Sequence, residues 1–260
     1  MIEIKNSILT NVESFKNIYV MSDLHGCRNE FYKMLKKINF NEKEDLLIIL
    51  GDVIDRGPDG ITLLQELLNK ENTILLKGNH EDMMVKSMMN DFYWFENWTK
   101  YNGGNETFNT LSKLEKKEQN KLLAKTNNLP CYLKISINNN LYVLVHAGLS
   151  LLKNMPLDKL LDYSGSNLLW TRKNFLKSKV KTDFTVIFGH TITGFIPFEI
   201  TQYPKYYKKN LEDKELILKD IQNSVIWKTD NKIGIDCGIA YGGKLACLNL
   251  KDMNEFYVND

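Results

Sequence analysis

The chain has 260 residues, 43% of them hydrophobic, a formal charge of +2 and a pI near 8.2. That length supports one large core, so a single domain spanning 1–260 is the expectation, and the charge is too mild to imply nucleic-acid binding through bulk electrostatics. No apolar run reaches the roughly 18 residues a membrane span requires. Glu3, Lys5, Glu13 and Lys16 interrupt the first segment in a way unlike a signal peptide. Cys27, Cys131, Cys237 and Cys247 are widely scattered with no Cys-x-x-Cys pair. That usage fits reduced thiols and a cytoplasmic location.

In chain order, residues 17–21, 45–50, 72–76, 141–145 and 184–188 are short, near-continuous apolar runs. They read as strands buried on both faces. Helical patterns at 29–38 and 60–69 separate the first three, giving β-α-β-α-β, and another at 80–89 follows. Such connections favour parallel neighbours, with reactive groups gathered at the carboxyl ends of the strands. Residues 91–128 read as a peripheral helical insertion. Residues 196–224 read as a polar insertion containing Tyr203-Pro204-Lys205-Tyr206-Tyr207-Lys208-Lys209, able to roof a site or to meet another chain. The tail (225–227, 233–236, 244–250 and 255–258) predicts short strands in a second, more antiparallel sheet.

Each of the five runs ends in a glycine-bearing motif, and all four histidines lie in them. The motifs are Ser22-Asp23-Leu24-His25-Gly26, Gly51-Asp52-Val53-Ile54-Asp55-Arg56-Gly57, Gly78-Asn79-His80-Glu81, Val145-His146-Ala147-Gly148 and Gly189-His190-Thr191. Strand alternation is expected to put Asp23 and His25 on one side, where a carboxylate and an imidazole can share an ion. Carboxylate, amide oxygen and imidazole without thiolate suit Mn²⁺, Fe or Zn²⁺ in a catalytic site. Two ions need more donors than Asp23, His25 and one further Asp supply, and His146 and His190 are the remaining candidates. Two ions about 3.5–4 Å apart can clamp a phosphate and generate hydroxide near neutral pH.

The ordered set of motifs resembles the calcineurin-like metallophosphoesterases, specifically the bacterial and phage form of the phosphoprotein phosphatase family. The resemblance runs from about Ile18 to Leu250. It includes Trp98 to Thr107, Leu169-Trp170-Thr171-Arg172 and Ile235-Asp236-Cys237-Gly238 followed by Tyr241-Gly242-Gly243-Lys244-Leu245. It implies an α/β fold of two packed mixed β-sheets flanked by helices. It also implies Asp23, His25 and Asp52 as ligands of one divalent ion, and Asp52, Asn79, His146 and His190 as ligands of a second. Mn²⁺ is the expected metal, with Fe or Zn²⁺ as alternatives. His80 would protonate the leaving oxygen with Asp55 holding its imidazole, and Arg56 would grip the phosphate together with Asn79 and a second arginine, Arg172. With no recognisable Ser or Cys nucleophile motif, attack by a metal-bridging hydroxide is expected. The implied substrate is a phosphomonoester on a phosphorylated protein; the alternative is a dinucleoside polyphosphate such as diadenosine tetraphosphate. A diesterase or a catalytically silent binding module on the same fold are the other classes, and the intact ligand set with His80 and Arg56 argues against the latter.

Overall fold

The computed structural model describes residues 3–5, 8–10, 12–89, 91–201 and 211–259. The tyrosine- and lysine-rich stretch 203–209 lies outside the described residues.

Two sheets face each other. The five-stranded sheet has the order β12-β11-β3-β4-β5, with β3 at Ile18–Met21, β4 at Leu46–Ile49, β5 at Thr73–Leu75, β11 at Lys244–Asn249 and β12 at Glu255–Asn259. β3, β4 and β5 are parallel, with Ile18 opposite Leu46 and Leu47 opposite Thr73. The helices α1 (Arg28–Lys37) and α2 (Gly60–Leu67) make the crossovers, and α3 (Asn79–Met88) follows β5. The predicted β-α-β-α-β unit is therefore present within a residue or two of its expected bounds.

The seven-stranded sheet has the order β1-β2-β6-β7-β8-β10-β9, in which β1 is Glu3–Lys5, β2 Ile8–Thr10, β6 Tyr132–Ile137, β7 Asn140–Val145, β8 Phe184–Phe188, β9 Trp227–Lys228 and β10 Lys232–Gly234. β7, β8 and β10 are parallel. The sequence reading placed the tail strands together in a sheet of their own. They divide instead: β9 and β10 join the seven-stranded sheet, while β11 pairs antiparallel with β3, Leu248 opposite Val20.

The near-continuous apolar runs follow from burial on both faces. Ile18, Val20, Leu46 and Ile48 point toward the other sheet and meet Leu133, Ile135, Leu144 and Ile187 in a core between the sheets. Their alternating neighbours Tyr19, Met21, Leu47 and Ile49 face outward against Phe31 and Met34 of α1 and Leu63 and Leu64 of α2. On the seven-stranded side, Val143, Val145, Val186 and Phe188 pack under Leu160, Leu161, Phe175 and Leu176. The result is four layers, helix–sheet–sheet–helix, and it turns the carboxyl ends of β3, β4, β5, β7 and β8 toward one rim.

The 91–128 insertion is helical, at Phe92–Glu96, Asn97–Tyr101, Asn105–Ser112 and Lys116–Asn127. Within 196–224 the described residues form helices at Ile196–Thr201 and Leu211–Gln222, and Ile196 and Ile221 are buried. Ile48 is fully buried at the centre of the inter-sheet core. Replacing it with Ala should cost about 2–5 kcal/mol, read as a lowered denaturant midpoint with metal content per folded molecule unchanged.

Candidate active site

The candidate Asp, Asn and His residues of the rim lie beyond the strand ends, in loops or at the start of α3. β3 ends at Met21, so Asp23 and His25 lie beyond it, with φ of 54° and 43°. Backbone turns in the left-handed region, not strand alternation, therefore set where these two side chains go. Asp52, Asp55, Arg56 and His190 also have positive φ (53°, 73°, 67° and 62°). Such conformations cost of order 1–2 kcal/mol per L-residue, and here a web of hydrogen bonds between the loops holds them. His25 N donates to Asp52 O (2.9 Å), Gly57 N to His25 O (2.9 Å), Arg56 N to Gly103 O (3.1 Å) and His190 N to Asp23 Oδ2 (2.9 Å). Asn79 and His80 are the first residues of α3, not the end of β5.

Two glycines are required by close approach. A Cβ on Gly78 would lie 2.1 Å from Asp52 Oδ1, and one on Gly189 would fall 2.2 Å from Asp23 Oδ2. Both give the buried carboxylates room.

Among the described residues, two buried histidine–carboxylate groups have donor atoms within 4.8 Å of one another: His25, Asp52 and His80, and Asp52, His146 and His190. Asp52 belongs to both. In the second group His146 Nδ1 donates to Leu50 O (2.9 Å), which turns the Nε2 lone pair inward. That Nε2 lies 2.8 Å from Asn79 Oδ1, 3.2 Å from His190 Nδ1 and 3.3 Å from Asp52 Oδ2. A cation would fit between these converging atoms, and among the described residues His190 Nε2 is buried without a hydrogen-bond partner. The donor set fits a divalent ion of the borderline kind.

In the first group His25 Nδ1 donates to Ile54 O (2.9 Å), leaving Nε2 as the donor atom, 3.8 Å from Asp52 Oδ2. Burial and the adjacent Arg56 guanidinium hold the His25 pKa well below that of a free imidazole, keeping the lone pair available. Asp23 is buried beside these groups, and its Oδ2 accepts from Ser22 Oγ and His190 N. Burial raises its pKa, opposed by His146.

His80 differs from the other three imidazoles. Its Nδ1 meets Asp55 Oδ2 at 2.5 Å, and the same carboxylate oxygen accepts from Trp98 Nε1 at 2.8 Å. Asp55 is fully buried, and its backbone N donates to Thr107 Oγ1 (3.0 Å). The helical insertion thus reaches into the centre and fixes the Asp55–His80 pair. Arg56 Nη2 lies 3.0 Å from His80 Nε2, its Nη1 contacts His25 Nε2, and its guanidinium stacks 5.0 Å from the Tyr241 ring centre. Arg172 lies on the cleft wall, donating from Nη1 to Thr191 Oγ1 at 3.3 Å.

Glu81 carried no role in the sequence reading. It is fully buried, and its carboxylate accepts from the backbone N–H groups of Asp52 (2.8 Å), Val53 (2.8 Å) and Gly78 (2.9 Å). It ties the Asp52 loop to the start of α3. Burial, aided by the neighbouring Asp52 carboxylate, pushes its pKa up to about 7. A signal was available: glutamate at the third position of a helix reaches back to cap the turn before it. Asp236, quoted in a motif without a role, is a buried carboxyl lining the cleft, pushed up to about 8 by burial and by Asp23.

Burial disfavours a charged His146, yet the Asp52 carboxylate overrides it and the pKa is pushed up to about 9. An ion that takes the His146 lone pair must displace that proton. Metal affinity should therefore rise about tenfold per pH unit from roughly pH 6 to 8. Chelator competition at several pH values checks this, and a flat profile would exclude His146 as a ligand.

The family model described as calcineurin-like phosphoesterase matches residues 16–249. The chain is 28% identical over 197 residues to serine/threonine-protein phosphatase 2 of Salmonella typhimurium, covering 71% of this chain and 84% of the relative. It is 47% identical over 64 residues to the symmetrical bis(5'-nucleosyl)-tetraphosphatase of Wigglesworthia glossinidia brevipalpis, 24% of each chain. A crystal structure assigned provisionally as a diadenosine tetraphosphatase shares the fold, with a TM-score of 0.61 at 18% identity over 97% of this chain and 96% of that one. The chain belongs to the calcineurin-like phosphoesterase family and is a metal-dependent phosphoric ester hydrolase.

Proposed function

We propose that this chain is a serine/threonine protein phosphatase. The observation that carries the reading is the meeting of the Asp55–His80 pair with the Arg56 guanidinium, His80 Nε2 lying 3.8 Å from Asp52, the carboxylate common to both histidine–carboxylate groups. Asp23, His25 and Asp52 would hold one divalent ion, and Asp52, Asn79, His146 and His190 the other, Mn²⁺ being the first candidate ahead of Fe or Zn²⁺. When bound, the two ions supply Lewis acidity that activates water and neutralises charge on the phosphoryl group. Arg56 supplies a planar fork of donors for two phosphate oxygens, and Arg172 and Asn79 supply further donors from the cleft wall. His80 Nδ1 is engaged by Asp55 and its Nε2 accepts from Arg56; with Arg56 turned to the phosphate, that Nε2 would be the atom that gives a proton to the departing oxygen. The Asp55 carboxylate fixes the orientation of the ring, and Trp98 keeps that carboxylate in place.

The names of the Salmonella and Escherichia relatives, serine/threonine-protein phosphatases, support a phosphoprotein as substrate. The second reading, hydrolysis of a dinucleoside tetraphosphate, is favoured by the 47% identical segment shared with a bis(5'-nucleosyl)-tetraphosphatase. The four cysteines, two of them buried, form no disulfide among the described residues, which fits the reducing cytoplasm as a location.

The test is phosphate release from Mn²⁺-loaded protein with a phosphothreonine peptide, diadenosine tetraphosphate and an aryl phosphate. The peptide should be preferred; preference for the dinucleotide would establish the second reading. His80→Asn should slow the peptide by about 10²–10⁴-fold, with a smaller effect on the aryl phosphate, whose leaving group needs no proton. Loss of metal in place of rate would make His80 a ligand and remove it as the acid.

A further inference from the structure

The cleft that holds the proposed centre has a volume of about 1170 Å³, far more than a phosphate group occupies. Its extra space is lined by the segment after His190. Ile192, Phe195 and Phe198 contribute from the turn and helix that leave the site, and Ile217 and Ile221 from the helix Leu211–Gln222. That helix is seated directly on the turn Thr193–Phe195: Gly194 N donates to Ser224 Oγ (3.1 Å), and a Cβ on Gly194 would fall 2.4 Å from Asp220 O. The apolar wall is therefore built onto the loop that carries His190, and whatever it binds stands beside the reacting phosphate.

The same lining is divided by charge. Arg56, Arg172 and Lys173 supply its cations, while Glu199 and Asp220 supply carboxylates from the wall segment. Neither carboxylate forms an ion pair among the described residues. A chain of several phosphates laid along this wall would meet both acids. A peptide can meet them with opposite charge: one phosphate suits the arginines, an apolar side chain the isoleucines and phenylalanines, and a basic side chain Glu199 and Asp220.

We propose that residues 192–199 and 217–221 form a specificity wall selecting phosphopeptides that carry an apolar and a basic residue beside the phosphorylated one. This deepens, and rests on, the protein phosphatase reading. Like-charge juxtaposition disfavours wrong partners and opposite charge favours right ones.

The test compares three phosphothreonine peptides of equal length, flanked by Leu and Arg, by Leu and Glu, or by Gly alone. Each kcat/KM on the Mn²⁺-loaded full chain is divided by that for an aryl phosphate. The Leu/Arg peptide should exceed the Leu/Glu peptide by about tenfold or more, with the Gly peptide below the Leu/Arg one. In the double variant Glu199→Lys with Asp220→Lys the ratio of the two charged peptides should reverse, and diadenosine tetraphosphate should gain. Equal peptide values in the wild type, or an unchanged ratio in the variant, would overturn the wall while leaving phosphatase activity standing. Turnover of diadenosine tetraphosphate above all three peptides, or of no substrate at all, would overturn the phosphatase reading and the wall together.

Discussion

Asp52 carries the construction of the site. It is buried to 2% exposure and belongs to both histidine–carboxylate groups. Burial alone would raise its pKa, but the His146 and His80 imidazoles hold it well below the usual carboxylate range, so the charge stays. A buried charge is tolerated only when paired and hydrogen-bonded. Here Asp52 Oδ1 accepts from His80 N (3.0 Å), Asp52 N is taken by Glu81, and Oδ2 faces three imidazoles. The same inward-facing imidazoles and carboxylate make this rim a candidate metal centre.

The four-layer architecture serves that demand. Parallel strands in each sheet release their loops at the same rim, so the candidate ligands follow β3, β4 and β5 on one side and β7 and β8 on the other. The core between the sheets is continuous from Ile18 and Ile48 to Leu144 and Ile187, which fixes the distance between the two ligand sets. Strained backbone at Asp23, His25, Asp52, Asp55, Arg56 and His190 is concentrated where these loops meet. Strain of this kind persists because the surroundings over-determine it.

Much of this was legible in the sequence, for a physical reason. Strands buried on both faces need apolar residues at every position, and left-handed turns need Gly, Asp or Asn, so runs such as 45–50 followed by Gly51-Asp52 announce themselves. What was not legible depends on partners distant in the chain. β11 pairs with β3 across more than two hundred positions, and nothing local in Lys244–Asn249 names that partner. Glu81 looked like part of a motif because its acceptors, the N–H groups of Asp52 and Val53, are visible only after folding. The 196–224 segment read as polar because Ile217 and Ile221 stand among charged residues, and only the folded helix turns them to one cleft. Strand alternation was the wrong basis for placing Asp23 and His25: both lie beyond β3 in left-handed turns, and Asp23 stands outside the two histidine–carboxylate groups.

The central claim is that one buried carboxylate joins two ions in a single centre. Metal content of the folded Asp52→Asn variant, measured by elemental analysis after loading with Mn²⁺ beside the wild type, tests it most directly. The account predicts two ions per chain in the wild type and loss of both from the variant, with the far-ultraviolet circular dichroism spectrum preserved. A variant that still holds two ions would show that Asp52 is not the bridge.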